Sequence, residues 1–222
     1  MNGTTWQRAL ALTGALWIIL IVLGNDILGG GGPEIGDPLS VYAAHYADVS
    51  TANWAAGVVT FAGLGLGLVF VSVVAERISA AGMWSRLALA SGTASLTVKL
   101  LSDASTMAAM YRGSELSPEL LRTLTDIGAM AFVISFLPLG LFTLATSAGA
   151  RQLDAAPTWV IWLGVVAGTL LIIGAPFALN GPGFIGMLVF LVWAIAFSAT
   201  LALRPARLAP SRGKPERTAL TA

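Results

Sequence analysis

The sequence predicts an all-α, polytopic membrane protein, a bundle of six transmembrane helices with a short outer interfacial helix. Three observations point there. Apolar residues make up 56% of the 222 residues and charged residues only 10%, where a soluble domain carries about 25% charged residues. Mean hydropathy is +0.82, so there is too little charge to cover a hydrated surface. The apolar residues also gather into six stretches of the length that a helix needs to cross about 30 Å of hydrocarbon. These are residues 9–28, 53–75, 84–110, 120–148, 158–179 and 184–203. An ordinary water-soluble fold is excluded. With no cysteine and one histidine, thiolate chemistry, disulfides and most Cys- or His-based metal sites are excluded too, and neither a metal nor a cofactor is expected.

The first stretch resembles a secretory signal in its apolar run from Ala9 to Leu23. It is followed by Gly24, Asn25 and Asp26 with no small-x-small cleavage site, and reads as an uncleaved helix. The outer loop, residues 29–52, opens with Gly29 to Gly32 and Pro33. Asp37 and Pro38 then supply an N-cap and a first-turn proline for a short helix carrying Tyr42, His45 and Tyr46 on one side. That arrangement suits a segment resting on headgroups or capping the bundle. Gly63 with Gly67, and Gly164 with Gly168, form G-x-x-x-G pairs that favour close helix approach, and no strand precedes them to make a dinucleotide loop. The fourth stretch is the longest, and a tilt, an amphipathic start or a bend at Pro138 would accommodate it. Pro176 predicts a second kink, and Asn180 to Gly183 a tight outer turn. Trp54, Trp84, Trp159 and Trp162 lie near stretch ends, where an aromatic belt is expected. No convincing internal repeat appears, so residues 1–203 read as one transmembrane domain. Residues 204–222 read as a basic, disordered cytoplasmic tail drawn to anionic lipid.

Orientation follows from the basic residues. With the N-terminus inside, Arg8, Arg77, Arg86, Arg151, Arg204, Arg207, Arg212, Lys214 and Arg217 are cytoplasmic, Arg112 and Arg122 lie outside, and Lys99 is within a helix. The outer loop contains no Lys or Arg but holds Glu34, Asp37 and Asp48. Both termini are therefore expected in the cytoplasm.

Ionisable groups inside hydrocarbon cost roughly 2.5–3.5 kcal/mol each on insertion scales, which makes them functional candidates. The third stretch places Ser95, Lys99, Ser102, Asp103 and Thr106 at spacings of three and four, on one helical face. Lys99 falls about 16 Å from an outer end near Met110, close to the midplane. The fourth stretch runs back from outside, and Asp126 is expected at a depth near that of Asp103. Lys99, Asp103 and Asp126 are thus the candidate catalytic centre, with Ser95, Ser102, Thr106, Arg122 and Asp26 as substrate-binding residues and Glu119 and Asn25 in the vestibule. The alternative is architectural: Lys99 and Asp103 neutralise each other and hold the third helix against the fourth. The Lys-before-Asp order is the less favourable helical arrangement, which leaves Asp126 as an alternative partner for Lys99.

The run DIGAMAFVISFLPLGLFTLATSAGA followed by PTWVIWLGVVAGTLLIIG carries a resemblance. With the Asp-Pro outer helix and Gly-rich second stretch, it resembles an actinobacterial branch of a bacterial six-helix membrane family catalogued as a domain of unknown function. Leu139, Gly140, Pro157, Trp162, Leu163 and Gly164 reproduce that family's pattern. The resemblance implies the architecture and a bacterial plasma membrane, and no mechanism.

Three functions are compatible with these residues. The leading reading is a membrane-embedded enzyme in which Asp103 or Asp126 protonates a polyprenyl- or lipid-like substrate, giving isomerisation, cyclisation or hydrolysis, and the other two are alternatives to it. A second is a small proton-coupled transporter using the same centre as a relay. The third is a non-catalytic sensor or assembly protein. The lipid bilayer and a hydrophobic small molecule are the expected partners. Nucleic acid is not expected, because the only basic segment is a short tail beside the membrane.

Overall fold

The computed structural model describes residues 3–180 and 182–204, apart from the side chains of residues 3, 4, 26, 179, 180 and 182. The expected tail beyond Arg204 lies outside the described residues. Eight α-helices follow in order: α1 (Gly3–Val22), α2 (Leu39–Ala47), α3 (Thr51–Arg77), α4 (Met83–Arg112), α5 (Pro118–Ile134), α6 (Phe136–Gln152), α7 (Thr158–Gly174) and α8 (Ile185–Leu203). No strand occurs among the described residues.

Among the described residues, five helical segments are long and apolar enough to cross a membrane: Thr5–Asn25, Thr51–Arg77, Pro118–Gln152, Thr158–Ala178 and Ile185–Leu203. The sixth expected stretch, residues 84–110, forms the 30-residue α4. Length and apolar composition do not single it out as they do the others, because Lys99, Asp103 and its many Ser and Thr residues lower its hydropathy.

Several local structures follow directly from residue chemistry. Ser50 accepts from the Asn53 backbone N–H while the Asn53 side chain accepts from Ser50, a capping box that starts α3. Ser117 caps α5 ahead of Pro118 at its first position. Asp37 does not cap α2. Its carboxylate accepts from the Glu34 N–H at 2.8 Å, and Pro38 stands at the cap. α1 runs on into a π-helical turn, Leu23–Leu28, closed by the Gly29 N–H donating to the Gly24 carbonyl at 2.9 Å. The long fourth stretch breaks between α5 and α6. Pro138 has no N–H to offer the Ile134 carbonyl four residues back, and its ring crowds that carbonyl, so the regular helix is interrupted at Ser135.

The long helices close into a ring in which each packs on the next: α1 on α3, α3 on α4, α4 on α6, α6 on α7, α7 on α8 and α8 back on α1. α5 continues α6 along α4, and α2 lies across α5. Inside the ring, Trp17, Phe70, Phe142, Phe190, Trp193 and Phe197 are buried against one another. Trp193 stacks on Phe197 at 5.2 Å and meets the Phe142 edge at 6.0 Å. A smaller cluster of Tyr42, Tyr46, Ala109 and Leu121 seats α2 on the α4–α5 corner. At another corner, the Arg77 guanidinium donates to the Leu201 and Arg204 carbonyls, both at 3.3 Å, and so caps the end of α8.

Candidate functional site

The polar face of α4 turns into the bundle. Ser95 and Ser102 are buried, and Lys99, Asp103 and Thr106 are half-buried. Lys99 and Asp103 lie one turn apart, and the Lys99 ammonium donates to Asp103 Oδ1 in an ion pair closed within the helix. Their side chains are only 12% and 14% exposed. Lys99 Nζ also stands 5.4 Å from the centroid of the Phe132 ring on α5, a cation–π contact that further occupies the charge. Asp103 Oδ2 is buried without a hydrogen-bond partner.

Beside Lys99 is a narrow cleft of about 50 Å³ where α1, α3, α4, α8 and the α5–α6 break converge. Ser95, Lys99 and Ser135 are its polar lining, set among Trp17, Phe132 and Phe190. Ser95 Oγ donates to the Ser135 carbonyl at 3.0 Å, so the break in the helix is tied to α4 one turn from Lys99. Two further hydroxyls turn to their own backbone: Thr106 donates to the Ser102 carbonyl at 3.3 Å, and Ser105 to the same oxygen at 2.9 Å.

Asp126 belongs to a different neighbourhood. It pairs with Arg122 on its own helix at 3.7 Å, and the two side chains are 32% and 45% exposed. Neither Lys99 nor Asp103 makes an ion pair or a hydrogen bond with Asp126. Helix phase explains the separation. α5 meets α4 at Gly128, where a Cβ would stand 3.0 Å from Ser105 Oγ and 3.1 Å from the Ser102 carbonyl. Asp126 is two residues away, about 200° around the helix, and therefore turns from α4. It reaches toward α2 instead. Burial, and then the Asp126 carboxylate, push the Tyr42 phenol above its ordinary pKa, while Arg122 opposes them. The next tyrosine, Tyr46, shares a 2.9 Å hydrogen bond with Thr125 of α5.

Asn25, in the π-helical turn, accepts from Thr60 at 3.4 Å and joins neither carboxylate. The side chain of Asp26 lies outside those described. His45 packs edge-to-face on Tyr46 with centroids 4.8 Å apart, and burial holds its pKa below the usual value. No group of three or more metal-ligating side chains occurs among the described residues.

Phe132, Ser135 and Thr125 are site residues that the sequence reading did not select. Ser135 had a signal, since it stands three residues before Pro138, where a freed helical backbone needs partners. Phe132 and Thr125 had none, because an aromatic or a hydroxyl on an apolar stretch is ordinary until the helix phase is known.

A second cavity, about 380 Å³, lies elsewhere, between α4, α6 and α7. No acidic side chain lines it. The larger apolar space and the Asp103 and Asp126 carboxylates are therefore in separate places. Among known proteins, the chain matches no family model, no curated protein and no solved structure.

Proposed function

We propose that the chain is a six-crossing protein of the bacterial cell membrane with both termini in the cytoplasm, and that it is a non-catalytic sensor or assembly protein in which Lys99–Asp103 is an architectural pair. One observation carries this reading. The pair is closed within α4, and the space beside it, about 50 Å³, falls well below the roughly 300–1,000 Å³ of ligand pockets. Acid–base chemistry on a polyprenyl- or lipid-like molecule requires the reacting carbon to come within hydrogen-bonding reach of the acid. The cavity of suitable size lacks a carboxylate.

Several features support the sixth crossing and the orientation. α4 is long enough, and it turns its charged residues onto neighbouring helices as an intramembrane helix must. α2 meets the α4–α5 corner, and Arg77 meets the end of α8, which agrees with alternating crossings. On this reading α2 lies on the outer side as an interfacial cap. Membership of the six-helix family is part of the same proposal, supported by Leu139 and Gly140 on α6 and by Trp162, Leu163 and Gly164 on α7.

A second reading, an enzyme or proton relay centred on Asp103, is favoured by the buried and unpartnered Asp103 Oδ2. One series of variants separates the two. Removing one member of a buried pair costs about 3–5 kcal/mol, whereas replacing both by apolar groups is near neutral. Partial exposure puts the expected single-variant loss at or below the lower end of that range. The architectural reading predicts that Asp103→Leu and Lys99→Met each lower stability in detergent, and that the double variant recovers most of the loss. Single variants of wild-type stability that abolish proton flux in proteoliposomes, or turnover of a hydrophobic substrate, would establish the second reading.

A further inference from the structure

The 380 Å³ cavity is a groove on the outside of the helix ring. α4 and α7 both pack on α6 and chiefly avoid each other, so α6 forms the floor and the other two the walls. Leu141, Leu144, Ala145 and Ala148, at helical spacings of three and four, make the floor apolar and shallow. Trp84 on α4 and Trp162 on α7 stand on opposite walls. Leu87, Leu141 and Trp162 line the groove and are exposed, so it opens sideways, toward the medium that surrounds the bundle.

Two polar features mark an otherwise apolar space. Arg151, in the last turn of α6, lines the groove with its guanidinium 5.8 Å from the Trp162 ring centroid. Like Arg8, Arg86 and Arg204, it makes no ion pair or side-chain hydrogen bond among the described residues, whereas Arg77, Arg112 and Arg122 bond within the protein. Ser147 also lines the groove. It is 1% exposed, and its hydroxyl is turned inward, against Gly164 of α7 and beside Trp193 Nε1.

We propose that this groove binds a membrane phospholipid with an anionic headgroup, one acyl chain lying along the α6 floor between Trp84 and Trp162 and the headgroup phosphate on Arg151. The volume falls within the range of ligand pockets. The chemistry is that of an amphiphile: hydrocarbon for the Leu and Ala floor, one negative charge for the one cation in the lining. On the proposed orientation Arg151 faces the cytoplasm, where anionic lipids attract basic groups. The groove is independent of the role assigned to Lys99 and Asp103, so either can fail alone.

Native mass spectrometry of the full chain in detergent tests this, with phosphatidylglycerol and phosphatidylcholine titrated separately. The wild type is expected to retain one phosphatidylglycerol molecule, with about fivefold preference over phosphatidylcholine, the effect of one basic group near a membrane surface. Ala148→Phe fills the floor at a partly exposed position and is expected to abolish the retained molecule. Arg151→Gln is expected to keep binding while equalising the two lipids, and inorganic phosphate is expected to displace neither. Retention unchanged in Ala148→Phe would assign the lipid to the basic tail or the general surface and overturn the proposal. Equal retention of both lipids by the wild type would overturn the anionic assignment, and displacement by inorganic phosphate would show a phosphate site in place of a lipid groove.

Discussion

Tyr46 and Thr125 share the hydrogen bond that fastens α2 to α5. Tyr46→Phe keeps the buried ring and removes that bond, so a loss of about 0.5–1.5 kcal/mol is expected in thermal or denaturant unfolding. His45, beside it, has a pKa held below the unfolded value by burial. The folded state therefore prefers the neutral ring. The stability this contributes is complete above the unfolded pKa, near 6.5, and is lost as the pH falls through the lower folded value. A stability profile that declines on acidification below that point, and flattens in His45→Gln, is the expected result; an unchanged profile in the variant would remove His45 from the account. At this scale the sequence was informative where spacing decides the outcome. Ser95, Lys99, Ser102, Asp103 and Thr106 share one α4 face because i, i+3 and i+4 positions must. Asp126 was not legible in the same way. Its depth follows from counting residues, but its direction depends on which residue of α5 touches α4, and Gly128 does so with no side chain to announce it.

Among the helices, α6 and α7 cross closely. A Cβ on Gly168 would stand 2.8 Å from the Gly140 carbonyl and 2.7 Å from Leu144 Cγ, whereas one on Gly65 would meet nothing within 4 Å. Gly168→Val should therefore force the pair apart and cost about 1–3 kcal/mol. Gly65→Ala should stay within about 1 kcal/mol of the wild type, on the stabilising side where helix propensity decides. Equal effects in unfolding experiments would show that close approach does not govern this crossing. The G-x-x-x-G spacing was readable in the sequence, and Gly63, Gly67, Gly164 and Gly168 all abut neighbouring helices. Their partners were not, since spacing identifies a face but not the helix that meets it. Pro138 was readable as a bend. The cross-helix bond from Ser95 to the Ser135 carbonyl at the break was not, because it requires α4 and α6 to be neighbours in the ring.

On the scale of the whole molecule, composition was enough for an all-helical chain, and the apolar stretches were enough for the order of the helices. The closed ring was not readable, because apolar periodicity says how much of each helix is covered and not by which neighbour. α4 is where the two kinds of information meet. Its polar residues make it the least apolar of the long helices, and the bundle covers Ser91, Ser95, Lys99, Ser102, Asp103, Ser105 and Thr106 among them, while Thr93 and Thr97 stay exposed. The central claim is that α4 crosses the membrane with Lys99 and Asp103 paired inside. The cysteine-free chain is a ready background for testing it. Ser79→Cys and Ser114→Cys, both exposed, flank α4. Each single-cysteine protein would be probed in intact cells with a membrane-impermeant maleimide. The account predicts labelling of the cysteine at 114 and protection of the cysteine at 79 until the cells are opened; accessibility of both from the same side would contradict it.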